Sequence, residues 1–299
     1  MENYKAGFAT IIGLPNAGKS TLLNVLINTK LAPVSPKAQM TRKSVVGILT
    51  GDAYQVVFLD SPGIIEPSYL MQEYMMKDIS RNIADADIVI VVIDVSRIEK
   101  QKEILLKRIK SVLSKKESKK LFVLNKTDLV KQNAIITAIK WVSDNFQYDD
   151  IFPISCKTGE NVRELKETIV KYLPMHDPYY DSEVLSVQNE RFFVKEYILE
   201  TIYDFLKKEL PYSCLVEIEE FKERESGKDY IRAVIFVEKD SHKKIIIGKN
   251  GSMLKNIGRI AREKIEKMHG KPVFLELFVK ILPDWKNRKD IIRKIYKED

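Results

Sequence analysis

Eight residues near the start of the chain, Gly13-Leu14-Pro15-Asn16-Ala17-Gly18-Lys19-Ser20, constrain it more than anything else in its 299 positions. They match G-x-x-x-x-G-K-[ST], a pattern that carries chemistry only between a strand and a helix. An apolar run, residues 8–13, precedes it and an amphipathic segment beginning at Thr21 follows. In that setting the loop's backbone N–H groups wrap phosphates and the helix N-terminus adds partial positive charge. Lys19 reaches the outer phosphates, and Ser20 offers a hydroxyl to Mg²⁺. This one loop commits the first half of the chain to an α/β fold.

The rest of that half agrees. Further strand-like runs lie at residues 55–60, 88–94, 120–125 and 151–155, alternating with amphipathic stretches. The pattern predicts repeated βαβ units, a mostly parallel sheet with helices on both faces. Ligands of such sheets sit beyond the strand C-termini, so the motifs there should converge. Asp60-Ser-Pro-Gly63 ends one strand; its acid can hold a Mg²⁺-bound water while the Gly63 amide meets a γ-phosphate. Asn125-Lys126-Thr-Asp128 ends another. The Asp128 carboxylate can accept from guanine's N1–H and 2-amino group but would face adenine's acceptor N1, so the base is guanine. Asn125 is placed to brace the loop and Lys126 to lay its stem over the ring. Ser155-Cys156-Lys157 would bring backbone amides near the guanine carbonyl.

A Pro-bearing stretch after Leu173 separates this domain, residues 1–174, from a second by a linker at 175–189. Residues 190–209 have helical periodicity, 214–221 and 230–238 read as strands, a basic helix runs to Met268, and a strand spans 272–282. The second domain, residues 190–299, thus has the order α-β-β-α-α-β, followed by a C-terminal helix. Between its second and third helices lies Ile245-Ile-Ile247-Gly248-Lys249-Asn250-Gly251, a Gly-x-x-Gly loop of the kind that clamps a nucleic-acid backbone. Lys243, Lys244, Lys255, Arg259 and Arg262 surround it with positive charge, and Ile247 belongs to an apolar run that serves as core and groove wall. Charge supports this: residues 241–299 hold 16 Lys/Arg against 7 Asp/Glu, whereas residues 182–240 hold 9 against 14. Such a basic end is the footprint of a phosphodiester-binding surface; a solvated lysine-rich face is the plain alternative. Two cysteines, Cys156 and Cys214, are too few for a disulfide framework or a zinc cage. No apolar run is long enough to span a bilayer and no cleavable leader pattern opens the chain, so a cytoplasmic protein is expected.

The nucleotide motifs are similar to the first, third, fourth and fifth G motifs of translation-factor-related GTPases. Together with the Gly-x-x-Gly loop, Glu209-Leu-Pro-Tyr-Ser213 and Val216-Glu-Ile-Glu-Glu-Phe221, they make nearly the whole chain resemble the Era family, with its C-terminal type II KH domain. The resemblance implies a GTP/GDP switch that hydrolyses GTP with Mg²⁺, binds 16S ribosomal RNA near its 3′ end, and assists 30S subunit assembly as a monomer. Gln39-Met40-Thr41-Arg-Lys43 falls where the family's second motif lies, which makes Thr41 a further Mg²⁺ ligand beside Ser20 and Asp60, although Met40 replaces one of the family's paired threonines. The place of the water-positioning Gln of Ras-like enzymes holds Ile64, which cannot do that job. Asn16 resembles the asparagine with which a branch including Era coordinates K⁺; otherwise it merely caps the loop. Turnover is therefore assigned to Asn16, Lys19, Thr41 and Gly63. Two rivals stay open: a membrane-associated signalling GTPase, whose basic and apolar segment 286–297 makes peripheral contact with anionic lipid at the cell membrane, and a passive RNA-binding protein whose GTP site is structural.

Overall fold

Burial on both faces accounts for the strand sequences of the first half. All seven residues of β4 (Ile88–Asp94) are buried, which is why it reads as a continuous apolar run rather than an alternating one. The computed structural model describes residues 4–35, 37, 39–113 and 118–297. They divide into two compact units, residues 1–68 with 72–187, and residues 188–299 with 69–71.

In the first unit, β1 (Lys5–Gly13), β2 (Val45–Gly51), β3 (Tyr54–Asp60), β4, β5 (Lys119–Asn125) and β6 (Asp150–Pro153) form a sheet of order β2-β3-β1-β4-β5-β6. Every pairing is parallel except β2 with β3. The register sets Ile11 beside Asp60, Gly13 beside Val92 and Asp94 beside Asn125, so the polar motifs emerge along one edge. On one face α2 (Leu70–Asp85), α3 (Ile98–Leu113) and α4 (Gln132–Asn145) bury Ile79, Ile83, Leu105, Ile109, Ala138 and Val142 against Val89, Val91, Phe122 and Leu124. On the other, α1 (Lys19–Leu26) and α5 (Val162–Tyr172) lie against each other and bury Leu22, Leu23, Leu26, Leu165 and Ile169.

Two features here depart from the sequence reading. Strand β2 is not among the runs picked out from the sequence; it is an edge strand, half of it only partly buried, with Gly47 and Thr50 interrupting its apolar character. The linker is also less independent than its prolines imply. Gln55, fully buried in β3, accepts from the Tyr179 and Tyr180 amides at 2.8 and 3.0 Å and donates to the Tyr180 carbonyl at 2.8 Å. Further on, the Ile48 amide donates to Leu185 O at 2.8 Å and Ser186 Oγ donates to Val46 O at 2.6 Å. The segment is thus fastened to the exposed edge of the sheet, an edge that otherwise needs protection.

The second unit runs α6 (Glu190–Phe205), β7 (Leu215–Lys222), β8 (Asp229–Val237), α7 (Asp240–Ile247), α8 (Ser252–His269), β9 (Val273–Ile281) and α9 (Lys289–Lys297). Its sheet has order β7-β8-β9, antiparallel then parallel. α6 stops at Phe205, four residues before the end expected from its periodicity, where Leu206 turns extended. Helix α6 carries Glu200 into the interior at 3% exposure, and Lys264 of α8 meets it at 2.8 Å and Asp204 at 2.9 Å. A buried carboxylate is tolerable only with such a partner. Among the described residues, no helix is long and apolar enough to cross a membrane.

Candidate functional site

The first site grows from the loop between β1 and α1. Gly18 caps α1 with φ of 100°, and a side chain there would collide with the Asn125 amide, 2.2 Å from where its Cβ would lie. Gly63 is held as closely to Pro15: a Cβ would come within 2.7 to 2.9 Å of three Pro15 atoms. Two motifs distant in sequence are therefore pressed against the loop, and glycine is what permits it. Asn125 donates to Ala17 O at 2.9 Å and its Oδ1 accepts from the Lys126 and Cys156 amides at 2.8 and 3.1 Å. It is a brace joining three loops.

A cavity of about 480 Å³ opens above them, within the usual range for small-molecule sites. Pro15, Asn16, Gly18, Lys19, Ser20, Thr21, Thr41, Gly63 and Lys126 line it. Gly13, Leu14 and Ala17 form the buried wall behind it and do not line it. Lys19 is buried and donates to Leu14 O at 3.1 Å and Gly13 O at 3.4 Å. Burial pulls its ammonium down to about 8, against the opposing influence of Asp60. Burial likewise pushes Asp60 up to about 6, although Lys19 and a hydrogen bond from Ser20 both favour its ionised form. Each shift is a cost of holding a charge out of water, and a polyanion with a divalent cation would relieve both.

Whether the residues fit Mg²⁺ can be judged from the oxygens. Ser20 Oγ donates to Asp60 Oδ2 at 2.5 Å and lies 3.1 Å from Thr41 Oγ1. Asp60 Oδ1 is buried with no hydrogen-bond partner. Three hard oxygens in one place, one of them orphaned, suit a small divalent ion that keeps several waters. Ser20 and Thr41 would hold it directly and Asp60 through water, and it would supply charge neutralisation at the phosphates.

The residues expected to read the base, Asp128 and Ser155 to Lys157, do not line that cavity. Asp128 is exposed and accepts from Ser155 Oγ at 2.7 Å. Of the three amides at Ser155, Cys156 and Lys157, the first donates to Glu160 O and the second to Asn125. Only the Lys157 amide is left, among the described bonds, to meet a base carbonyl. Lys126 donates to Asn16 O at 2.8 Å and to Asp94 at 2.6 Å, which stretches its stem across the pocket. The Cys156 thiol is pushed up to about 12, by burial first and Asp128 second, so it is inert.

Sequence reasoning missed Arg97, which lines the cavity with its side chain 60% exposed and Asp94 at 3.8 Å. The signal was available, since Arg97 follows the C-terminal end of β4, where ligands of parallel sheets bind. Ile64 is 1% exposed and packs into the core, while its amide donates to Gly13 O at 2.9 Å and its carbonyl accepts from Arg108 at 3.3 Å. It has no side-chain role toward an attacking water.

The second site lies in the other unit. Gly248, Asn250 and Gly251 all take positive φ, so the loop between α7 and α8 turns tightly. Beside it a cavity of about 530 Å³ is lined by Gly251, Leu254, Lys255, Asn256, Gly258, Arg259, Arg262, Leu275 and Leu277. Lys243, Lys244, Ile247, Gly248, Lys249 and Asn250, expected at the site from the sequence, do not line it. Lys249 and Lys255 are exposed and have no carboxylate partner among the described contacts, whereas Lys244 pairs with Asp240 and Arg259 with Glu263, both at 2.8 Å. Leu254, Asn256, Gly258 and the β9 leucines lay outside the sequence reading, the leucines because the strand that completes the groove is distant in sequence.

A phosphate-binding loop, a Mg²⁺-suited oxygen cluster and a guanine-directed acid on a parallel sheet, joined to a Gly-x-x-Gly unit, define a P-loop GTPase with a KH domain. Residues 8–126 match the family described as 50S ribosome-binding GTPase and residues 209–286 match the KH domain. GTPase Era of Caldanaerobacter subterraneus subsp. tengcongensis is 40% identical over 294 residues, 98% of this chain and 97% of that protein. A crystal structure of Era in complex with MgGDPNP and nucleotides 1506–1542 of 16S ribosomal RNA superposes with a TM-score of 0.90 at 34% identity, covering 97% of this chain and 98% of that one. An Aquifex aeolicus Era variant bound to GDP·AlF₄⁻ gives 0.89, also at 34% identity and with the same coverage. The chain belongs to the Era family of GTPases, and it is a GTP hydrolase rather than a passive RNA binder.

Proposed function

We propose that this GTPase binds GTP or GDP with Mg²⁺ in its first unit and single-stranded RNA near the 3′ end of 16S ribosomal RNA in its second. The nucleotide state governs how long it stays on the RNA, and the cycle serves assembly of the 30S subunit. The observation that carries this reading is that one chain holds both a phosphate cavity and a cation-rimmed Gly-x-x-Gly groove, alike over nearly its full length to an Era that holds MgGDPNP and 16S RNA together. Lys19, Ser20, Thr41 and Asp60 act on the phosphates and metal; Asn125 and Asp128 select guanine; Lys249, Lys255 and Arg259 hold RNA phosphates. K⁺ beside Asn16 is part of the same proposal, since Ile64 is buried and turnover needs positive charge near the β- and γ-phosphates.

The test is binding of RNA spanning nucleotides 1506–1542 against a scrambled RNA of equal length, with GDP or a non-hydrolysable GTP analogue present. Preference for the authentic RNA and a nucleotide-dependent dissociation rate are expected. Equal affinity for both RNAs, or flotation with anionic vesicles in preference to either, overturns it in favour of a lipid-directed switch.

A further inference from the structure

The contact of α2 with the sheet is not wholly apolar. Ile79 and Ile83 pack into the core there, and beside them runs a chain of five polar side chains. Asn82 Nδ2 donates to Ser44 Oγ at 2.6 Å and to Ser61 Oγ at 3.3 Å, and Ser61 Oγ lies 3.3 Å from Thr10 Oγ1. Ser44 carries the chain onward: its hydroxyl and its amide both donate to Asp78 Oδ2, at 2.6 and 3.1 Å. Thr10, Ser44, Ser61 and Asn82 are all buried. Apolar side chains would fill this space with no desolvation penalty, whereas a satisfied polar network holds its members in one arrangement.

What the network holds is the loop that carries Thr41. Ser44 is the last residue before β2, Ser61 directly follows Asp60 at the end of β3, and the register sets Val45 opposite Asp60. The other end of the loop is tied to the same helix. Ser68 donates to Gln72 Oε1 from its amide at 2.8 Å and from its hydroxyl at 2.9 Å, which fixes the orientation of the Gln72 amide. Its Nε2 is thereby left to donate to Gln39 Oε1 at 3.2 Å. Helix α2 grips the loop two residues before Thr41 and three residues after it. Between the two grips Thr41 and Arg42 are buried, and Thr41 Oγ1 stands 3.1 Å from Ser20 Oγ. Gln72, Asp78 and Asn82 do not line the phosphate cavity.

We propose that Gln72, Asp78 and Asn82 are positioning residues for Thr41: α2 clamps the loop at both ends and holds a metal-ligating hydroxyl in place in advance of Mg²⁺. This rests on the reading of Thr41 as a Mg²⁺ ligand, and adds that its preorganisation is stored in a helix outside the cavity. Such a clamp acts through population. The apparent affinity for Mg²⁺ scales with the fraction of molecules in which the loop is docked.

The experiment uses the full chain and four variants, Asp78→Ala, Asp78→Asn, Gln72→Ala and Thr41→Ala. One readout is the rate at which trypsin cuts after Arg42 and Lys43 in protein freed of nucleotide and Mg²⁺, since cleavage of a folded chain tracks the population in which the site is open. The other is the Mg²⁺ concentration that gives half-maximal GTP turnover. Asp78→Ala should be cut there on the order of tenfold faster and need about tenfold more Mg²⁺, while its turnover at saturating Mg²⁺ approaches the parent's. Gln72→Ala has one tie to the loop to lose instead of two, so it should move both readouts in the same direction by less. Asp78→Asn keeps an oxygen with two lone pairs for the two Ser44 donors and should restore most of the parent's behaviour. Parent-like cleavage or an unchanged Mg²⁺ requirement in Asp78→Ala overturns the clamp, as does cleavage that quickens at every lysine and arginine alike, the mark of general unfolding. If Thr41→Ala requires no more Mg²⁺ than the parent, the reading of Thr41 itself fails, and the clamp with it.

Discussion

The two cavities are alike in size and in construction, and they use charge in opposite ways. Each opens at a helix whose N-cap is a glycine with positive φ, Gly18 for α1 and Gly251 for α8. In the first, the functional lysine is 6% exposed, and a buried acid faces it with one oxygen unsatisfied. In the second, Lys249 and Lys255 stand in solvent. Buried charge is strained in the absence of ligand and interacts strongly with it, which is what chemistry on a phosphate needs. Exposed charge gains mainly by releasing counterions, which favours reversible adhesion to a long polyanion. The same loop-and-helix device thus suits chemistry on a phosphate when enclosed and adhesion to a polyanion when open.

Breaking each side separately tests this contrast. The largest effect is expected from Asp128→Asn, which turns an acceptor into a donor facing guanine's donors: GTP affinity should fall on the order of 10⁴-fold and xanthosine triphosphate should be preferred, as competition against a fluorescent nucleotide would show. Next comes Lys249→Asp/Asn250→Asp, for which a loss of roughly 100-fold in RNA affinity is expected at low salt, shrinking as salt rises, with GTP affinity unchanged. Filter binding across a salt series reads both.

The enclosed site should also respond to pH. Asp60 is held up at about 6 by burial, so relative to the unfolded chain this group stabilises the empty unit below its ordinary value of 3.8 and loses that contribution as pH rises through about 6. Lys19, pulled down to about 8, contributes above its ordinary 10.5 and loses that as pH falls through about 8. Near neutrality both therefore burden the empty pocket. Mg²⁺ needs the Asp60 carboxylate ionised, so its apparent affinity should fall as the pH drops and burial lets Asp60 take up a proton, and Asp60→Asn should flatten the profile. A Mg²⁺ titration between pH 5 and 8 reads it. The smallest effect is the cation one: GTP turnover several-fold faster in KCl than in NaCl at equal ionic strength, with Asn16→Ala abolishing the difference more than it weakens GTP binding. Equal rates in both salts would assign the balancing charge elsewhere, with Arg97 the nearest candidate.

What was legible in the sequence follows from how locally each feature is determined. β4 could be read to the residue because seven consecutive buried positions leave no other interpretation. The Gly-rich loops were legible because backbone conformation and close approach impose residue type directly, as at Gly18 and Gly63. β2 was not, since an edge strand needs little apolar continuity and its identity comes from pairing with β3. Nor was the end of α6, where no Gly or Pro stands at the break. Gln55 was invisible as an anchor because its partners lie 124 and 125 positions away, and the Lys157 amide emerged only once the neighbouring amides were seen to be taken.

The fastening of residues 179–186 along β2 and β3 bears on how such a chain can be shuffled by recombination. A junction at residue 174, where the prolines invite one, would strip the Gln55 side chain of its bonds to the Tyr179 and Tyr180 main chain and bare the edge of the sheet. A junction after Val187 leaves both intact. Lineages that exchanged RNA-reading modules on this switch would be expected to inherit the tyrosine-bearing strap with the nucleotide half, as part of its heritable unit rather than as spacer.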